Sequence, residues 1–303
     1  MRSTGTTAVL ALALAAGGLA LAPPARADHG GLTVTGLTQN HRLVTFKASA
    51  PGTVLSSVKV TGLEAGDTLQ AIDFRPATGG LYGVATSDAG AKLYLIDAAT
   101  GAASRVGTAV YAVAGEVSID FNPTVDRLRV VSSDRTNLRV NPNNGALAAT
   151  DTSLSYASGT GTPAVGAVAY TNNDNDCLNV APATSCTTPS GSTGTGTTLF
   201  DIDAATDALV TQVPPNNGTL NLVGALPQAA EEARVGFDVY TRTTNGVNWA
   251  FATIWSAGTT TFWELDLTTG GAKTTSPVPG SGKAVGGNPA VIDIALATAQ
   301  AGF

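Results

Sequence analysis

Histidine and sulfur are almost missing from this chain. His29 and His41 are the only histidines in 303 residues, and Met1 is the only methionine. With both imidazoles near the N-terminus, a Ser-His-Asp relay finds no partner in the rest of the sequence. A zinc site lacks the clustered His and Cys ligands that zinc takes. Charge is scarce as well, at 13% of residues, and the formal net charge is −6 with the basic residues scattered singly. That pattern offers no electrostatic footprint for DNA, RNA or anionic lipid. Neither a G-x-S-x-G elbow nor a phosphate-binding loop is present, and beyond the N-terminal segment no apolar run is long enough to span a bilayer.

The N-terminus has one such run, and it is short. Arg2 precedes the uncharged stretch Val9 to Ala22, which is followed by "PPARA" ending at Ala27. A charged start, a brief apolar core and small residues at an A-x-A site describe a secretory signal peptide over residues 1–27, cleaved before Asp28. The expected product, residues 28–303, is a single domain that is secreted, extracellular or held in the cell envelope. In that compartment Cys177 and Cys186, the only two cysteines, read as a disulfide. Closing so short a loop contributes about 2–3 kcal/mol, enough to tether a loop but not to hold a fold.

What the sequence does contain is a repeat. An apolar strand with a central acid appears as "QAIDFRP" at Asp73, "VSIDFNP" at Asp120, "GAVAYTN" with Ala169 in place of the acid, and "VGFDVYT" at Asp238. The third strand and its tight turn recur as "LYLIDAATG", "LRVNPNNG", "LFDIDAATD" and "FWELDLTTG". Short alternating runs bounded by Gly, Asn, Asp and Pro are strand-and-turn signals, and no long helical pattern competes with them. Self-similarity of this period predicts an all-β propeller of four-stranded blades. The ends supply its closure: "AVIDIALA", with Asp293 at the acid position, is a lone first strand, and "LTVTGLT", "RLVTFKASAPG" and "VLSSVKVTG" are three strands without one. One C-terminal and three N-terminal strands complete a fifth blade, with six blades as the alternative if the long third repeat hides another.

The segments "GLTQNHRLVTFKASAPGTVLSSVKVTGL", "LQAIDFRPATGGLYGVA" and "VSIDFNPTVDRLRVVSSDRTNLRVNPNNGAL" resemble an uncharacterised secreted bacterial family, domain of unknown function 4394. The resemblance covers essentially all of residues 28–303. It implies an exported, propeller-like protein and carries over no catalytic residues.

Asp73, Asp120, Asp238 and Asp293 are the first candidate site. Innermost strands line a propeller's channel, so these acids converge and repel unless a cation or hydrogen-bond donors neutralise them. Ca²⁺ suits several carboxylate oxygens; the competing expectation is that each acid accepts from the neighbouring blade's backbone. A second set, Glu116, Glu231 and Glu232 with Asp67, lies just before inner strands, where loops lead to the channel mouth. Trp263, beside Trp249 and Trp255 in the fourth repeat, either fills space between blades or stacks on a flat ligand such as a sugar. Asn172, Asp174 and Asp176 open like a calcium-binding loop, but Cys177 and Ala183 stand where its Gly and Glu belong. Three functions follow: a binding or interaction propeller for an extracellular ligand, glycan or protein; a cation-dependent, glycosidase-like hydrolase drawing on channel and rim acids; and a structural envelope protein. Binding ranks first, because no convincing catalytic set emerges.

Overall fold

The computed structural model describes residues 1, 29–173, 197–231, 234–243, 246–275, 277–298 and 300, and the backbone alone of 186–187 and 193–194. The expected signal segment after Met1, Asp174, Asp176, Cys177 and Glu232 lie outside the described residues. Cys186 starts a two-residue strand whose side chains are not described, so the expected bridge lies outside them as well.

Five sheets form five blades. Blade 1 runs outward through Thr68–Phe74, Leu81–Ser87, Gly90–Ile96 and Ala103–Arg105, and blade 2 through Val117–Asn122, Arg127–Ser132, Asn137–Val140 and Leu147–Thr150. Blade 3 comprises Val165–Tyr170, Leu199–Asp203, Ala208–Gln212 and Thr219–Ala225, with Ser155–Tyr156 added in parallel at its outer edge. Blade 4 comprises Val235–Thr241, Asn248–Ser256, Thr259–Leu265 and Lys283–Ala284. Blade 5 is the predicted composite: Val291–Ala295 lies innermost, followed by Thr33–Thr38, Arg42–Lys47 and Ala50–Lys59.

Each blade is covered on both faces by its neighbours, so its inner strand is buried on both sides. Val235–Thr241 is buried at every position, which explains why the inner strands read as near-continuous apolar runs. The outer strands alternate or face water, as in Leu147–Thr150. The apolar core is accordingly divided into five clusters, one in each seam between blades. Close approach at the axis requires Gly236: a methyl group there would lie 2.7 Å from the Asp293 backbone of the closing strand.

The third repeat corrects one alignment. "LFDIDAATD" is not the third strand but the second, and its turn leads to Ala208–Gln212. The long segment between Tyr170 and Leu199 is inserted after the inner strand, and the turn motif fits any hairpin, so the pattern alone could not fix which pair it joined. In the other repeats the turn glycine has a second role. Gly101 adopts a φ of 76°, and a methyl group on it would come within 2.3 Å of the Lys59 carbonyl oxygen on blade 5. Gly145 and Gly270 press in the same way on the backbone of the preceding blade.

Candidate functional site

The four repeated aspartates stand midway along the inner strands and reach sideways across the seams. Asp293 Oδ2 accepts the Ile72 N–H at 2.8 Å, joining blade 5 to blade 1. Asp73 Oδ2 accepts Phe121 N–H at 2.8 Å, and Asp120 Oδ1 accepts Tyr170 N–H at 3.1 Å, joining blades 1 to 2 and 2 to 3. Asp238 Oδ2 accepts Leu296 N–H at 2.5 Å and joins blade 4 to 5. Inner strands pair with only one sheet neighbour, and these carboxyls satisfy axial N–H groups that would otherwise be buried unpaired. The seam from blade 3 to blade 4 has Ala169 at the acid position. There Asn173 substitutes, donating Nδ2–H to Val239 O at 2.6 Å and accepting Thr241 N–H at 2.9 Å.

The acids also crowd one another. One carboxyl oxygen from each of Asp73, Asp120 and Asp238 lies within 4.8 Å of the other two. Burial, with the Asp238 charge next in importance, holds Asp73 well above the ordinary carboxylate value. Burial and then the Asp73 charge do the same to Asp120, and burial raises Asp293. Asp238 is pushed up to about 7 by burial, against the partial relief of its bonds from Leu296 and Val239. Burial and mutual repulsion thus favour the protonated form of these carboxyls. Among the described residues, Asp73, Asp120 and Asp238 are the side chains that could hold a hard cation. Such an ion takes six to eight oxygens, works against the burial that favours the protonated acids, and meets carboxyls already engaged by backbone N–H groups.

A shallower site lies at the end of the channel where the inner strands begin. Thr68, Gln70, Glu116, Arg234 and Ile292 line a cavity of 240 Å³, with Gln39 at its edge. Blades 1, 2, 4 and 5 all contribute. Glu116 is exposed, with its backbone N–H bound to Ser133 Oγ at 3.0 Å. The Arg234 guanidinium sits 5.7 Å over the Trp255 ring, an arrangement that stacks a cation on an aromatic face. Arg234 escaped the sequence reading. Its signal was positional: it immediately precedes an inner strand, as Glu116 does.

Among the described residues, the rim acids Glu231 and Asp67 do not line this cavity. Glu231 is exposed and receives Ser256 Oγ at 3.5 Å. Asp67 is buried, accepting Lys92 Nζ at 2.7 Å and the Tyr94 hydroxyl at 2.5 Å; despite burial, these bonds hold its carboxyl below the usual value. Trp263 packs against the apolar cluster between blades 3 and 4, away from the mouth.

Together these features define a five-bladed propeller laced at the axis by buried carboxyls, with a small polar cavity at one mouth. The chain belongs to the Domain of unknown function (DUF4394) family, whose model matches residues 42–288. Among solved structures it is similar to a protein of unknown function from Bacteroides thetaiotaomicron, at 15% identity and a TM-score of 0.51. That match covers 90% of this chain and 65% of the other. It is also similar to an auxiliary nutrient binding protein from Bacteroides ovatus, at 10% identity and a TM-score of 0.40, covering 71% of this chain and 55% of that one. A chain of a nidogen/laminin complex matches at 10% identity and a TM-score of 0.43, covering 88% and 99%. No curated protein matches. The first likeness bears on fold alone.

Proposed function

We propose that this is an exported binding propeller that takes the end of a glycan, or a similarly small polyhydroxyl group, at the mouth of its channel. The observation that carries this reading is the pairing of Glu116 and Arg234, brought from blades 2 and 4 to one 240 Å³ cavity. A carboxylate accepts from neighbouring hydroxyls, a guanidinium donates to ring and hydroxyl oxygens, and the Gln70 amide and Thr68 hydroxyl do either. The cavity is smaller than the roughly 300–1,000 Å³ of drug-sized sites, which favours a chain end over a bulky ligand. The hydrolase reading draws less support, because Glu116 and Glu231 do not share a cavity and the channel acids are engaged across the seams.

Export is part of the proposal. Mature protein starting at Asp28 and a Cys177–Cys186 bridge are its expected marks, checked by N-terminal sequencing and by thiol labelling without reductant. Binding is tested by saturation-transfer NMR with maltotriose, cellotriose and chitotriose. Transfer to at least one probe, lost in both Glu116→Gln and Arg234→Gln at unchanged melting temperature, supports the site. Absence of transfer from all three, or transfer indifferent to both substitutions, rejects it and leaves a structural role in the envelope.

A further inference from the structure

The seam between blades 2 and 3 is unlike the others, because the face of blade 2 that meets blade 3 is lined with charge. Asp120, Arg129 and Arg139 stand opposite one another across three strands. Arg127, two residues before Arg129, shares that face because side chains alternate along a strand. The three arginines, with Tyr170, Thr197 and Asn122, line a cavity of 320 Å³ that has no acidic residue in its wall among the described residues. This gathers three of the chain's sixteen basic residues in a protein of net charge −6.

Arg129 is the anchor. It is 2% exposed, and it donates Nε–H to the Tyr170 hydroxyl at 3.2 Å, Nη1–H to Asn137 and Asp151 at 2.7 and 2.6 Å, and Nη2–H to Asn216 at 2.8 Å. Because the Tyr170 oxygen accepts from Arg129, its own proton can be offered to the cavity. Arg139 grips Asp151 with Nε and Nη2 at 2.8 and 2.9 Å, and among the described residues nothing accepts from its Nη1. Arg127 donates Nη1–H to its own loop, to Asp126 O at 2.8 Å; its Nε and Nη2 likewise meet no acceptor among the described residues.

Among the described residues, the counter-charge is too small to cancel three guanidinium groups. Asp151 alone pairs with Arg129 and Arg139, and Asp126 turns away to bind Arg75. Asp120 and Asp201, the other carboxyls near Arg129, are both held well above the ordinary value, chiefly by burial. A fixed, partly desolvated surplus of forked donors matches a planar or tetrahedral oxyanion.

We propose that this cavity is a binding site for a small molecule bearing a phosphate, sulfate or carboxylate group, held by Arg127, Arg139 and Tyr170. It is separate from the channel mouth and stands or falls independently of it. The test is isothermal titration of the full chain with inorganic phosphate, sulfate and D-glucuronate, using sodium chloride at matched ionic strength as the blank. The expected result is saturable binding of at least one oxyanion, the preferred one identifying the phosphoryl, sulfuryl or carboxylate source. Arg127→Gln/Arg139→Gln should weaken it about tenfold or more, and Arg42→Gln on blade 5 should leave it unchanged. If the double variant does not fold, Arg127→Gln alone serves, since among the described residues its side chain bonds only its own loop. No saturable heat with any of the three up to about 10 mM, or affinity unchanged by the arginine substitutions, overturns the proposal.

Discussion

Asn173 and Thr241 fasten the one seam that has no aspartate. The Asn173 side chain accepts the Thr241 N–H at 2.9 Å, and the Asn173 N–H donates to Thr241 Oγ1 at 2.9 Å, so the two residues bind each other twice. Removing the side chain in Asn173→Ala leaves the buried Thr241 N–H and Val239 carbonyl without partners. Each such orphan costs about 1–3 kcal/mol. Urea denaturation should therefore show a loss of several kcal/mol, with a smaller loss for Asn173→Asp, which keeps the acceptor. A loss below about 1 kcal/mol would show that this clasp contributes little.

A second prediction concerns Gly236, whose missing side chain lets blade 4 touch the closing strand. Gly236→Ala places a methyl group 2.7 Å from the Asp293 backbone, where overpacking costs about 1–3 kcal/mol. Gly271→Ala is the control, since its nearest neighbour would be 3.8 Å away. Equal melting temperatures for the two variants would contradict the close approach at the axis.

The third prediction is that closure depends on the last strand. A chain ending at Pro289 lacks Val291–Ala295, exposing inner edges on blade 5 and opening the seams to blades 1 and 4. Unpaired edges of this kind invite association between chains. Size-exclusion chromatography should find aggregated or non-cooperatively melting material. A soluble monomer that melts like the full chain would refute closure by this strand.

Much of this architecture was legible because it repeats. Asp73, Asp120, Asp238 and Asp293 recur in the same strand context, and the unequal ends, one strand against three, announce the composite blade. Where the repeat breaks, the sequence loses its voice. Ala169 marks a missing acid but does not point to Asn173, which is not at the equivalent position and acts through a side chain that folds back across the seam. "LFDIDAATD" reads as a third strand, but the insertion before it makes it the second. Arg234 and Glu116 belong to loops far apart in the chain, and only ring closure brings them to one cavity. The alternation Arg127, Arg129 did contain a signal for the arginine-lined seam, since period-two spacing puts both on one face.

The most direct test of whether the channel carboxyls are protonated clasps rather than a cation centre is the melting temperature between about pH 5 and pH 8, for the native chain and Asp238→Asn, with excess calcium and with chelator. Asp238 rises from an ordinary 3.8 to about 7 in the folded chain. Over that interval the folded state keeps a proton that the unfolded chain has released, so the associated stability is complete at low pH and is lost as pH rises through about 7. Carboxyls held low, such as Asp67, Asp97 and Asp151, are ionised in both states above about pH 5 and add no slope there. The predicted result is a melting temperature that falls with rising pH, less steeply in Asp238→Asn, and that ignores calcium. A melting temperature that rises with pH, or that calcium raises and Asp238→Asn desensitises, would contradict the clasp and establish a cation at the axis.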